Sequence, residues 1–385
     1  MTEHEKIFFS ILRSALWKTP LEIPKGFTGW EKVFKLTMLQ SQIGLVGETM
    51  LMNPQICEQI SEIAQKRILK LVHSTSYLHM KLSKAIAFLV MKLRANGIEP
   101  ILLKGHGLAK CYPIPELRQS GDIDLYVGVD QYEKTYDVLK EFVTHIDDKS
   151  KIWGWMHFDA KLGDAMIEVH RTADYMYSKK EDALYRKYML DGLSKELRVV
   201  MFDNIEVNTP NDNFNAFYIF YHLWRHFTGS GVGLRQFCDW ACFLHNYSKT
   251  LDISYLEEIL KTFDLLKPWQ VFGCFLVADL GLPANEFPLY NPKYSKNVHL
   301  VRRYVLTDGN FGVNLNFSQH NASGYISRKF ISFKRHILRV IRLFVIFPKH
   351  SIKRLLSVFS VGVGQVLDDA RKIRVSKNKV AKSRI

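Results

Sequence analysis

The spacing of apolar residues changes at Asn96-Gly97 and changes back near Thr209-Pro210, and no other feature confines the fold of this chain as much. Before residue 95, apolar side chains recur at three and four, as in Ile7, Phe8, Ile11 and Leu12 or Ile63, Ile68, Leu69 and Leu71, which is the helical period. The run from Ala85 to Met91, with Leu93, reads as a buried helix ending near Ala95, where Asn96-Gly97 supplies a stop. From Pro100 the pattern becomes that of strands: Pro100 to Gly105, Asp122 to Val127, Met156 to Leu162 and Ala165 to His170, the last two joined by Gly163-Asp164. A helical pattern through Tyr132, Tyr136, Val138, Leu139 and Phe142 lies between them, and a further hairpin runs from Arg198 to Val207 around Asp203-Asn204. Helical spacing returns after Asn211, at 214–227, 234–247 and 254–280, with Asn211 or Asp212 as N-cap. Residues 282–325 are rich in Pro, Asn, Gly and aromatics and read as irregular. A strand block between two helical blocks predicts an α+β fold with a mixed sheet. The expected divisions are a helical region 1–97, a sheet domain 98–208, a helical domain 209–290 and an irregular segment with a basic tail 291–385.

Composition removes several classes. The chain has 385 residues, 47% of them hydrophobic and 24% charged, so neither wholesale disorder nor a multi-span membrane protein is expected. Five scattered cysteines argue against a disulfide framework and for a reducing, cytoplasmic setting. Cys238 and Cys242 fall on an apolar helical pattern and read as buried thiols, because no neighbouring His or Cys completes a zinc site. The first residues lack the basic and apolar regions of a secretory signal, and no stretch offers 18 uncharged apolar residues. The net charge of +15 is uneven: residues 328–385 carry 16 of the 53 basic residues and 2 of the 38 acids, leaving 37 basic against 36 acidic residues in the rest. Attraction to polyanions is therefore expected of the tail and not of the body.

Asp122 and Asp124 carry the chemistry. Two apart on a strand, they share one face while Ile123 enters the core. Paired carboxylates repel, and a divalent cation that prefers oxygen relieves the repulsion, so the pair reads as a Mg²⁺ site, with Mn²⁺ able to use the same ligands. Glu168 is a third carboxylate, in the otherwise apolar strand Met166 to Val169, where an unpartnered acid is costly. Should its strand neighbour that of the pair, the three acids would hold two ions roughly 3.5 to 4 Å apart, the spacing used for in-line displacement at phosphorus. Upstream, Leu103-Lys104-Gly105-His106-Gly107 is a strand entering a glycine turn, where backbone amides approach a phosphate closely. Lys104 and Arg118 would neutralise phosphates there, Arg118 with a bidentate grip.

Read together, Lys104-Gly105-His106-Gly107-Leu108-Ala109, Tyr112-Pro113, Pro115, Arg118, Gly121-Asp122-Ile123-Asp124-Leu125 and Ile167-Glu168-Val169-His170 resemble the nucleotidyltransferase superfamily. More narrowly they are similar to its bacterial branch, nucleotidyltransferase family 5. The similarity spans about residues 100–172 and continues through His222 to His226 and Gly233 to Trp240. It implies a palm-like sheet, two Mg²⁺ ions, and transfer of a nucleoside monophosphate from an NTP such as ATP to a hydroxyl. It further implies Asp122, Asp124 and Glu168 as catalytic metal ligands, and Lys104, Gly105, His106, Arg118, Gly121 and Arg235 around the nucleotide. One position departs from the superfamily, which usually has Gly-Ser where this chain has Gly105-His106.

Plainer readings stand beside these. His170 reads as a hydrogen-bonding support for Glu168 before it reads as a metal ligand. His222 and His226, four apart on a helix, read as packing first, since Leu223 stands where an HExxH site has its Glu. Arg235 and Asp239 read equally as a helix ion pair or as cleft residues. In the tail, Arg335, Arg339 and Arg342 stripe an otherwise apolar helix. Its first reading is a helix packed on the body with a solvated end. A peripheral contact of residues 330–385 with anionic membrane, at its inner face, is the second, and nucleic acid the third. Two other functions fit parts of the motif: a non-catalytic, antitoxin-like regulator that keeps the fold as a binding surface, and a DxD glycosyltransferase using Mn²⁺. The acceptor hydroxyl, of a small molecule, a protein or an RNA end, is not legible in the residues.

Overall fold

The helical opening begins with α1 (Glu3–Trp17), started by a capping box in which Thr2 and Glu5 satisfy each other's backbone donors. Next come α2 (Trp30–Leu39), α3 (Ile43–Met52) and the single turn α4 (Pro54–Cys57), capped by Asn53. The long α5 (Glu62–Arg94) starts where the Ser61 side chain accepts from Ala64 N. Of its buried residues, Ile68, Val72, Thr75, His79, Leu82, Ile86, Leu89 and Leu93 recur at three and four along one stripe, which Ala87 and Val90 widen. Gly97, at φ +68, turns the chain out of it.

The protein is described by a computed structural model covering residues 1–176, 178–309, 337–338, 340–353 and 355. Next along the chain lie β1 (Ile101–Leu102), β2 (Asp122–Tyr126), α6 (Tyr132–Leu139), β3 (His145–Ile146), β4 (His157–Leu162) and β5 (Ala165–His170). They are followed by α7 (Lys179–Gly192), β6 (Arg198–Phe202) and β7 (Ile205–Thr209). The strands form one seven-stranded mixed sheet in the order β3-β4-β5-β2-β1-β7-β6. This is the α+β class that the sequence predicts. Two hairpins carry the expected turn chemistry: Gly163 takes φ +58 between β4 and β5, and Asp203 and Asn204 take φ 46 and 64 between β6 and β7.

β2 lies parallel to β5, with Asp124 opposite Glu168 and Tyr126 opposite His170. β4 runs antiparallel to β5 on its other side, with Asp159 opposite Glu168 and His157 opposite His170. Opposed residues share a face, so Asp122, Asp124, Glu168, His170, His157 and Asp159 all stand on one side of the sheet. The intervening Ile123, Leu125, Ile167, Val169, Phe158 and Ala160 stand on the other, in a core with Leu82, Ile86, Leu89 and Leu93 of α5 and Tyr132, Tyr136 and Leu139 of α6. One face is therefore apolar and covered by α5, which frees the other for polar chemistry.

After the sheet come α8 (Asp212–Thr228), capped by Asn211, α9 (Leu234–Tyr247), α10 (Ile253–Thr262), α11 (Leu266–Phe275) and α12 (Val298–Asp308). Four elements differ from the sequence expectation. β1 is only two residues long, because the chain from Gly105 to Cys111 coils into 3₁₀ turns. α7 is unanticipated: it buries Tyr185, Met189 and Gly192 in an otherwise charged segment, too weak a stripe to read. β3 is too short to carry an alternation. α12 interrupts the stretch expected to be irregular, burying Val298, Val301 and Val305 at helical spacing.

The chain divides into two compact units, residues 1–314 and 315–385. In the second, the described residues form short helical turns at 340–344 and 348–353. Arg335 and Arg339 of the expected basic stripe, and everything after residue 355, lie outside the described residues. No described helix is long and apolar enough to cross a membrane.

α3 leans on the chain just before Arg118. A Cβ on Gly44 would stand 2.0 Å from the backbone oxygen of Leu117, and Ile43 N donates to Gln119 Oε1 at 3.0 Å. The obstacle at Gly44 is backbone, so it cannot swing aside. Gly44→Ala is expected to lower stability by about 1–3 kcal/mol through overpacking. A thermal melt unchanged by that substitution would show that α3 does not press on this segment.

Candidate active site

The local backbone between β1 and β2 sets the site. Leu103 N still donates to Asp124 O at 3.0 Å, so the pairing continues past β1 while the chain begins to turn. Lys104 bends into the polar face, and its Nζ lies 3.0 Å from Asp124 Oδ1. Gly105 follows at φ +61, in the left-handed region, where an added Cβ would sit 3.4 Å from Asp124 Oδ2. Glycine therefore lets the turn close onto the acid.

Asp122, Asp124 and Glu168 each offer a carboxylate oxygen, and the three oxygens lie within 4.8 Å of one another. Asp124 is 2% exposed and Glu168 27%. His170 Nε2 lies 3.1 Å from Asp124 Oδ1 and 3.2 Å from Glu168 Oε2, bridging two acids on adjacent strands. Burial would raise the Asp124 carboxyl, but Lys104 and His170 outweigh it and hold the group well below the usual carboxylate range. Asp122 is shifted the other way, raised by the neighbouring Asp124 charge and then by burial. Burial opposes the charge on Lys104, yet Asp124, Glu168 and Asp122 together raise its pKa. An all-oxygen donor set of this spacing suits a hard divalent cation.

Asp122 and Asp124 open onto a pocket that Lys104, Gly105, Leu108, Arg118 and Gly121 also line from the sheet side. Ile219 and His222 of α8 and Arg235, Gln236 and Asp239 of α9 form the facing wall. Of the residues expected around a nucleotide, Lys104, Gly105, Arg118, Gly121 and Arg235 thus meet at one cavity.

Arg118 differs in detail from the expectation. Its Nε donates to Asp239 Oδ1 at 2.7 Å and its Nη2 to Asp239 Oδ2 at 2.8 Å, so the fork is already held by a carboxylate 121 residues away. Tyr112 OH donates to the same Oδ1 at 2.7 Å. Asp239 therefore pairs with Arg118, not with Arg235 on its own helix. Arg235 Nη1 instead donates to Gln119 O at 3.1 Å.

His106 does not reach the pocket. It is 1% exposed, its ring centroid is 4.2 Å from that of His79 and 5.5 Å from that of Phe202, and both nitrogens are engaged. Nδ1 lies 2.9 Å from Ser120 Oγ and Nε2 2.9 Å from Ser83 Oγ on α5. Arg118 Nη1 also donates to Ser120 Oγ, at 2.9 Å. Arginine can only donate, so the Ser120 oxygen accepts from it, and the neutral His106 ring donates to one of the two serines and accepts from the other. Burial, then the neighbouring His79 and Arg118, keep His106 neutral by lowering its pKa well below the usual value. The residue that replaces serine at the turn thus ties α5 to Arg118 from behind.

Two residues were missed in the sequence. His157, with Nδ1 3.6 Å from Glu168 Oε2, is brought in by the β4–β5 hairpin. The turn at Gly163-Asp164 puts Leu162 opposite Ala165, and counting outward pairs 157 with 170, so the signal was present. Asp174 is fully buried beside α8, with Oδ1 3.0 Å from Arg225 Nε and Oδ2 3.5 Å from His222 Nδ1. Nothing local marks it, because its partners lie about 50 residues on. His222 and His226 meet edge to face with ring centroids 4.4 Å apart, and His226 Nδ1 is 2.9 Å from Ser230 Oγ.

Among curated proteins no relative matches the chain. A solved structure of an antigenic nucleotidyltransferase-like protein from Paracoccidioides brasiliensis is similar at a TM-score of 0.33 and 11% identity, covering 56% of this chain and 97% of that one. The family described as uncharacterised nucleotidyltransferase matches residues 28–278, which include the whole sheet and every residue of the pocket. The chain belongs to that nucleotidyltransferase family.

Proposed function

We propose that this protein moves a nucleoside monophosphate from a nucleoside triphosphate to a hydroxyl acceptor, with Mg²⁺ held by Asp122, Asp124 and Glu168. The observation that carries the reading is the meeting of three carboxylates within 4.8 Å, two of which, Asp122 and Asp124, line a pocket that also bears Lys104, Arg118 and Arg235. Bound Mg²⁺ offsets phosphate charge and favours in-line displacement at phosphorus. Gly105 and Gly121 keep the backbone open to the phosphates, and Lys104 and Arg235 supply positive charge to them. Arg118, fastened by Asp239, holds the turn rigid and adds to the positive wall. Glu168 is the group we assign to take the acceptor's proton as the new P–O bond forms and the bond to pyrophosphate breaks.

The acceptor can be a small molecule, a protein side chain or an RNA end, since each presents a hydroxyl. Incubating the full chain with each α-labelled NTP, Mg²⁺ and fractionated cell extract tests the reading. Label is expected in one fraction, with release of pyrophosphate and complete loss in EDTA. Absence of labelled product with all four NTPs, while the protein still binds Mg²⁺-NTP, would favour the regulator instead.

A further inference from the structure

The polar face of the sheet carries a second set of ligand-type atoms, which shares Glu168 with the first and adds two histidines to it. His157 and His170 stand opposite each other on β4 and β5, on the same face as Glu168. Glu168 Oε2 lies 3.2 Å from His170 Nε2 and 3.6 Å from His157 Nδ1. One ligating atom from each of the three residues lies within 4.8 Å of the others.

The shorter separation is a hydrogen-bond distance while His170 Nε2 carries a proton, and both suit ligands of a common ion once that proton is lost. Two ligands each about 2.1 Å from one ion sit roughly 3.0 Å apart at an octahedral angle and roughly 3.4 Å apart at a tetrahedral one. The two measured separations fall in or just beyond that range. A 3.6 Å approach is too long for a hydrogen bond, and His157 Nδ1 is buried with no hydrogen-bond partner among the described residues. On the far side of the same ring, Asp159 Oδ1 lies 3.5 Å from Nε2. The ring thus stands between two carboxylates, neither within hydrogen-bond distance, and that surplus of negative charge attracts a cation.

We propose that His157, Glu168 and His170 form a second cation site, sharing Glu168 with the Asp122–Asp124 site. Its nitrogen ligands select a borderline first-row divalent ion, such as Mn²⁺, Co²⁺ or Zn²⁺, over Mg²⁺. Imidazole suits such ions, whereas Mg²⁺ is held by oxygen. The topology divides the labour: β2 contributes oxygen alone, and the β4–β5 hairpin contributes two nitrogens and the shared carboxylate. For its place in catalysis, beside the group that takes the acceptor's proton, this inference rests on the nucleotidyltransferase reading.

Mn²⁺ alone is the probe. The full chain, stripped of metal with chelator, is titrated with Mn²⁺ and followed by electron paramagnetic resonance. Two bound Mn²⁺ per chain are expected, and pulsed spectra of the saturated protein should carry ¹⁴N modulation from imidazole. His157→Phe keeps a ring at this part-exposed position, and the second Mn²⁺ is then expected to bind at least about tenfold more weakly, with the ¹⁴N modulation reduced. Mn²⁺ bound without ¹⁴N modulation in the unaltered protein would overturn the second site and leave the three-acid site standing. The second site is equally overturned if His157→Phe keeps both ions and the full modulation. If no Mn²⁺ binds at all, both readings fall.

Discussion

With Asp122→Asn and Asp124→Asn together, Mg²⁺-NTP is expected to bind about a hundredfold more weakly in isothermal titration, a loss of about 2.7 kcal/mol. In EDTA the same variant is expected to bind NTP as well as the unaltered protein, or better. Asparagine preserves the volume and one carbonyl oxygen, so packing on β2 is little disturbed. What disappears is two negative charges facing the pocket. Without metal those charges repel a triphosphate, and Asp124 also occupies Lys104 at 3.0 Å. Removing them frees the ammonium for phosphate while deleting the ligands that make Mg²⁺ useful. The diagnostic quantity is therefore the ratio of affinities with and without Mg²⁺, which should collapse toward one. A double variant that keeps the full Mg²⁺ dependence would take these acids out of the metal site.

The second large effect is on stability. Asp239→Ala strands the guanidinium of Arg118, which is 3% exposed, and removes the acceptor of the Tyr112 hydroxyl. Breaking one partner of a buried pair costs about 3–5 kcal/mol, read as a fall in melting temperature on the order of 10 °C. Replacing both partners, Arg118→Met with Asp239→Leu, should recover most of that loss, because an apolar pair leaves no buried charge uncompensated. The recovered variant is nonetheless expected to bind Mg²⁺-NTP weakly, since the positive wall of the pocket is gone. If Asp239→Ala melts like the unaltered protein, the pair is solvated in solution and the turn is held by something else.

Much of the fold could be read from local pattern. The α5 stripe, the β4–β5 and β6–β7 hairpins, the Asn211 cap and the α8–α9 pair all follow from spacings of a few residues. Elements with weak local signals escaped: α7 is mostly charged, β3 is two residues long, and α12 lies among prolines and asparagines. In the site, Asp122 and Asp124 had to share a face whatever the rest of the chain did, because alternation within one strand decides it. Arg118 illustrates the opposite case. Its sequence neighbours suggest a free phosphate grip, and only the folded chain brings Asp239 to it from α9.

Sequence alone determined the alternating pattern that makes one face of the sheet acidic and the other apolar, the glycine turn after Lys104, and the hairpin register that sets His157 opposite His170. Those are properties of runs of two to fifteen residues, where backbone geometry leaves few choices. Tertiary structure alone decided that β5 lies beside β2 and so brings Glu168 to Asp124, that Asp239 fastens Arg118, and that His106 turns inward to Ser83. Such contacts join segments up to 121 residues apart. They depend on the summed burial of the whole sheet against α5, α8 and α9, which no local spacing records.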